Sequence, residues 1–276
     1  MWLRTWTAKL RVITTRKLPE TKKSGDISTP QKLVTDKEKI RHQEAINKEL
    51  ILVSQSENEC PETVISLLAH GAAPEYKDDK FHRTPLIWAV HSGRGEMVDV
   101  LLDNRVYVDT KDEVWDGTPL MWAIWTPHRE TIIQQLINRG ADLEATDSRF
   151  GRTPLLWAAF YGISEAANIL LENGANVRCK DKDGVPALSV AVDKRRLDTA
   201  RLLLDRGAEL EATDKGGRTA LQRAKDNADG EMIALLLERA LLLKRGAMMP
   251  AATDWDSLNS HPSSFPVQQQ DDRARS

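Results

Sequence analysis

Thr84-Pro85-Leu86-Ile87-Trp88-Ala89 recurs as Thr118-Pro119-Leu120-Met121-Trp122-Ala123 and again as Thr153-Pro154-Leu155-Leu156-Trp157-Ala158, at intervals of 34 and 35 residues. Two weaker copies keep the beat, each 33 residues after the last: Pro186-Ala187-Leu188-Ser189-Val190-Ala191 and Thr219-Ala220-Leu221-Gln222-Arg223-Ala224. A second marker runs in phase with the first. Apolar pairs at Leu67-Leu68, Leu101-Leu102, Leu136-Ile137, Leu170-Leu171, Leu203-Leu204 and Leu236-Leu237 each close a segment. In four copies a Gly-Ala turn follows, at Gly71, Gly140, Gly174 and Gly207.

One unit can be read from its residues. Thr before Pro starts a helix, because the hydroxyl accepts a free backbone N–H and Pro in the first turn gives up no needed donor. A short apolar helix follows and breaks at a glycine such as Gly93 or Gly162. A second helix then carries apolar residues at helical spacing, for example Met97, Val98, Leu101 and Leu102. Glycine supplies the left-handed residue that ends it. A polar run such as Asp181-Lys182-Asp183-Gly184 turns the chain into the next unit. A unit this small cannot bury its own apolar face, so neighbours must stack.

The repeated hexapeptide resembles the ankyrin-repeat signature, T-P-L-H-x-A at a period of 33. The likeness implies an all-α solenoid of about six helix-turn-helix units joined by β-hairpin-like loops. The units fall at about 48–78, 79–111, 112–147, 148–180, 181–213 and 214–247, within a repeat domain spanning 36–247. The signature histidine is absent throughout, its slot held by Ile87, Met121, Leu156, Ser189 and Gln222. The contact that histidine makes in the family is therefore expected to be missing. Arg105 stands where the second unit's turn glycine belongs. The third unit has one extra residue near Trp125-Thr126-Pro127-His128 and another in the turn at 112–117, so it is expected to be locally distorted.

The ends differ from the middle. Leu50-Ile51 replace Thr-Pro in the first unit, so its first helix can run back towards Asp36. The last unit's second helix continues through Leu241, Leu242 and Leu243. Two readings of that leucine run compete: a cap closed by its own extra turns, or an adhesive end for self-association.

The chain has 276 residues, 41% hydrophobic and 29% charged, with a net charge of -2. That balance hides an uneven distribution, since residues 1–47 carry +6, residues 48–247 carry -6 and residues 248–276 carry -2. The first 19 residues contain no acid, and Trp2, Trp6, Leu10 and Ile13 share one helical face. Residues 1–35 therefore read as a basic extension, with mitochondrial targeting or a nuclear signal as the rival readings. Residues 248–276, rich in Pro, Ser and Gln, read as a disordered tail. Two cysteines, Cys60 and Cys179, are too few for a disulfide scaffold or a closed zinc site. With no central apolar signal run, they point to the cytoplasm or nucleus.

No catalytic, cofactor-binding or metal-binding motif is present, so the chain is expected to be non-enzymatic and to need no cofactor. Acidic pairs such as Asp78-Asp79 sit in polar turns, where solvated carboxylates are the default. The resemblance instead implies a concave binding surface built from the hairpin tips and the exposed ends of the first helices. In unit two that register presents Phe81, Arg83 and His91; in unit three, Trp115 and Trp125. In unit four it presents Arg149, Phe150, Arg152, Phe160 and Tyr161. Trp, Tyr and Arg dominate interface hot spots, so this face is the candidate surface for a protein partner of a scaffold or adaptor. The competing reading has these aromatics folded back between adjacent hairpins. Trp88, Trp122 and Trp157 share one slot and read as a packing ladder between repeats. Two other functions stay open: a transcriptional co-regulator using the basic arm on nucleic acid, and an accessory subunit tethering an enzyme.

Overall fold

A computed structural model describes residues 29–56 and 60–244, with side chains from residue 36 onward. The amphipathic face at 1–19 and the tail at 248–276 lie outside the described residues. The chain divides into two compact units, Met1–Ile46 and Asn47–Ser276.

Helix α1 covers Thr29–Gln55 and so starts seven residues before Asp36, inside the stretch read from sequence as a basic extension. Pro30 stands in its first turn, where proline gives up no needed donor. In its last turns Leu50, Ile51 and Val53 are buried, which makes this end of α1 the first helix of the first repeat. Its partner is α2, Pro61–Ala69.

Four helical pairs follow: α3 (Pro85–His91) with α4 (Gly95–Asp103), α5 (Pro119–Ala123) with α6 (Arg129–Asn138), α7 (Pro154–Tyr161) with α8 (Ser164–Glu172), and α9 (Ala187–Asp193) with α10 (Leu197–Asp205). The last pair is α11 (Ala220–Asp226) with α12 (Gly230–Lys244). First helices stack on first helices, and second helices on second helices, from one repeat to the next. The described residues form no strand, only the isolated bridges of Lys180 with Pro186 and Thr213 with Thr219. The protein is thus an all-α repeat solenoid.

The helix starts behave as the residues dictate. Thr84, Thr118 and Thr153 each accept the backbone N–H three residues on, at 3.4 Å. Thr219 adds the reciprocal bond from its own N–H to Gln222 and completes a capping box. Pro186 has no hydroxyl, and α9 starts without a side-chain cap. The slot that holds histidine in the family signature is buried and apolar at Ile87, Met121 and Leu156, and the Ser189 hydroxyl is buried without a partner. The core between helices is built from Leu86, Met97, Leu101, Leu120, Ile132 and Leu155, all essentially inaccessible.

The third repeat is distorted as its extra residues require. Helix α5 has five residues, against seven and eight in α3 and α7. Pro127 cannot continue it, and His128 adopts a left-handed φ of 54° before α6 begins. The extra residue in the turn is not peculiar to this unit, however. The tips at 78–83, 112–117 and 147–152 all close from an Asp N–H onto the carbonyl five residues on, while those at 181–185 and 214–218 close over four. Repeats two to four thus share one longer tip. Phe81, Trp115 and Phe150 hold the same place in it, three residues after the Asp.

Leu237, Leu241, Leu242 and Leu243 near the end of α12 are exposed.

Candidate functional site

Each of the three long tips is wound around its aspartate. Asp78 accepts the backbone N–H groups of Lys80, Phe81 and Arg83, and the Trp88 indole N–H at 3.1 Å. Burial alone raises the Asp78 pKa, but these donors outweigh it and the net shift is downward. Asp112 accepts from Val114, Trp115, Gly117 and the Trp122 indole. Asp147 accepts from Phe150, Arg152 and the Trp157 indole. Asp112 is wholly inaccessible and Asp147 is 2% exposed, so these carboxylates are interior acceptors; of the Asp78-Asp79 pair read as solvated, Asp78 is half-buried and Asp79 is exposed. The signal was present: an Asp stands ten residues before each of Trp88, Trp122 and Trp157.

The tryptophan row therefore fastens each tip to its own first helix. No direct ring contact joins Trp88, Trp122 and Trp157 to one another. His91 bridges the first two, with centroids 5.6 and 5.4 Å away. Trp115 and Trp125 bridge the second and third at 5.2 to 6.0 Å. Phe150, Phe160 and Tyr161 close around Trp157 at 5.7 to 5.8 Å. The row expected to pack and the aromatics expected to be presented thus form one continuous cluster. Most of these rings are half-buried, and Tyr161 is exposed. Ring packing at these distances contributes about 0.5–1.5 kcal/mol per pair beyond area burial.

The arginines do not share one environment. Arg83 is 7% exposed, which corrects its placement on the presented surface. Its guanidinium lies over the rings of Phe81, Trp88 and Trp122, at 4.9, 4.8 and 3.9 Å, and its Nε is 3.6 Å from Asp112 in the next repeat. Arg83 joins repeats two and three. Arg152, at the same register in repeat four, lies over Phe150, Trp157 and Phe160 at 4.4 to 4.8 Å and stays half-exposed. Arg149 is exposed, 5.1 Å from the Phe150 ring. His91 is also exposed, and partial burial, with the Arg83 charge second, lowers its pKa.

All ten residues singled out from sequence thus fall in one connected group. Trp122 and Trp157, read from sequence as packing residues, are buried and also line this group, and Lys194, which the same register presents in unit five, reaches over Phe160 at 4.6 Å. Between the tips and first helices of repeats three and four lies a groove of about 670 Å³.

Among the described residues no group of acids, histidines and cysteines has the arrangement of a metal site. No described helix is long and apolar enough to cross a membrane.

Beyond repeats two to four, another residue replaces the tryptophan. Val190 fills the slot in repeat five, and among the described residues Asp181 accepts only the backbone N–H groups of Asp183 and Val185. In repeat six Arg223 fills it and pairs with Asp214 and Asp193.

A family model described as "Ankyrin repeats (3 copies)" matches residues 50–147 and 120–214. The chain is 31% identical over 130 residues to an ankyrin repeat domain-containing protein, SAT10, of Stachybotrys chartarum, a match covering 47% of this chain and 6% of that protein. It is 32% identical over 124 residues to the human Ankyrin repeat and SOCS box protein 6, covering 43% of this chain and 29% of the relative. The chain thus spans less than a third of either relative. Among solved structures, an ankyrin repeat domain from Acinetobacter baumannii superposes with a TM-score of 0.61 at 24% identity, covering 70% of this chain and 97% of that one.

Proposed function

Because the chain belongs to the ankyrin-repeat family, whose repeats serve generally as protein-interaction modules, we propose that it is a non-enzymatic scaffold or adaptor that binds a protein partner through the concave face of repeats two to four. The observation that carries this reading is the continuous, partly exposed aromatic cluster from Phe81 to Tyr161, with cationic groups stacked on its rings. Ordinary surfaces do not expose contiguous apolar patches of this kind without a partner to cover them. Large rigid rings bury area at small rotamer cost, which is why they dominate interface hot spots. The longer tips of repeats two to four and their aspartate anchors hold the rings in place before any partner arrives. That preorganisation lowers the ordering penalty of association.

The test is a partner captured on the full chain and then titrated by calorimetry. Trp125→Ala and Phe160→Ala are each expected to weaken binding by about 1 kcal/mol or more. Tyr107→Ala, at an exposed aromatic outside the cluster, is expected to leave affinity unchanged. If both cluster variants stay folded and bind as well as the parent chain, the partner uses another face.

A further inference from the structure

The groove between repeats three and four is lined by seven aromatic residues and by Arg149, Arg152 and Lys194, with no Asp or Glu among its lining residues. Its polar groups are all able to donate. The indole N–H groups of Trp115 and Trp125 and the Tyr161 hydroxyl lie on this lining and make no hydrogen bond among the described residues. The Arg152 Nε is buried and has no hydrogen-bond partner.

Arg152 is the informative group, because its counterparts at this register each have a carboxylate within ion-pair distance, although the Arg83 Nε, like that of Arg152, makes no hydrogen bond. Arg83 meets Asp112 across the repeat boundary at 3.6 Å, and Arg218 meets Asp214 at 3.2 Å. Arg152 pairs with no carboxylate among the described residues. Asp147 already accepts two backbone N–H groups and the Trp157 indole, and Asp181 is held by its own tip. That tip is one residue shorter than the one that carries Asp112 to Arg83. Partial burial pulls the Arg152 pKa down, and the charges of Asp181, Asp147 and Asp183 offset this in part. A guanidinium stacked on three rings and lacking its counter-ion is suited to receive a carboxylate in a bidentate fork.

We propose that the groove receives a protein segment in which a carboxylate stands beside an apolar side chain, the carboxylate pairing with Arg152 and the apolar group resting on Trp125, Trp157 and Tyr161. This rests on the concave-face reading above and specifies its partner chemistry. Charge complementarity favours a single carboxylate over a polyanion. Only three cations line the groove, whereas residues 48–247 as a whole carry net -6 and would repel a run of phosphates.

The experiment selects a phage-displayed library of random peptides on the full chain and titrates the selected peptides by fluorescence anisotropy. Acidic residues next to apolar ones are expected to be enriched. Replacing the acid of a selected peptide by its amide is expected to weaken binding roughly tenfold to the parent chain. The same replacement should have no effect on Arg152→Gln. Arg152→Lys, which keeps the charge without the fork, should retain part of the discrimination and guards against a variant that fails to fold. Peptides without an acid that still lose binding on Trp125→Ala would overturn the carboxylate assignment and leave the concave-face reading standing. Peptides indifferent to both Trp125→Ala and Arg152→Gln would overturn both. A selection that yields no binding peptide, or tighter binding of an oligouridine probe with a steep salt dependence, also overturns the proposal.

Discussion

The Trp157 indole N–H donates to the Asp147 carboxylate at 3.1 Å, ten residues back along the chain. The same carboxylate receives the N–H groups of Phe150 and Arg152, so one side chain folds the tip and ties it to the first helix. Hydrogen bonds to a buried charged acceptor contribute about 1.5–3 kcal/mol each, and orphaned buried donors carry a similar penalty. Asp147→Ala should therefore destabilise the chain by about 3 kcal/mol, and Trp157→Phe by about 1–3 kcal/mol. In urea unfolding the double variant should be less destabilised than the sum of the two singles by more than about 0.5 kcal/mol. Simple additivity would show that the two side chains act separately.

Arg105 holds a φ of 58° where equivalent turns use Gly71, Gly140, Gly174 and Gly207. A side chain in the left-handed region is strained by about 1–2 kcal/mol, part of which glycine returns through the freedom of its unfolded chain. Arg105→Gly should stabilise the protein by about 0.5–1 kcal/mol and raise its melting temperature. An unchanged or lower melting temperature would mean that Arg105 makes compensating contacts.

The two thiols should react at very different rates. Cys60 is exposed, while Cys179 is buried and accepts a hydrogen bond from Thr153. Burial pushes the Cys179 pKa up to about 11, so at pH 8 roughly one molecule in a thousand carries the reactive thiolate there. Alkylation with iodoacetamide followed by peptide mass spectrometry should label Cys60 first, and Cys179 only in denaturant. Equal labelling of both in the native chain would contradict the packing of repeat four.

Acid should act first on the last repeat. The Arg218 backbone N–H lowers the Asp214 pKa most; desolvation opposes it, and the Arg223 guanidinium adds to the lowering, leaving it at about 2. The unfolded chain titrates near 3.8, so the native state prefers the charged form. The stability this contributes is complete above pH 4 and is lost as pH falls towards 2. Thermal melts from pH 5 to pH 2 should show a steeper decline for the parent chain than for Asp214→Asn. Identical slopes would remove Asp214 from the acid response.

The repeat and its period are legible because stacking demands the same residues at the same places. Thr84, Pro85 and Leu86 satisfy local rules of capping and burial that hold in any copy. The distortion of repeat three was equally readable, since Pro127 and the added residues act within a few positions of themselves. The site was legible only in part. Register placed Phe81, Trp115 and Phe150 correctly on the tips, but it also placed Arg83 on the open face, where the structure buries it. Asp78 looked like a solvated turn acid because nothing within a few residues says that Trp88 will donate to it.

The amino-acid sequence by itself determined the all-α repeat fold and its period, because those depend on contacts within one unit or between similar neighbours. Only the tertiary structure decided which charges are satisfied. Arg83 and Arg152 occupy the same position in their repeats, yet one meets Asp112 and the other has no carboxylate within ion-pair distance among the described residues. The difference arises in the following repeat, where a tip one residue shorter holds Asp181 on its own backbone. Hydrogen bonds and ion pairs act over about 3–4 Å, so a displacement of one residue along a neighbouring loop makes or breaks them while the stacked helices stay where they are.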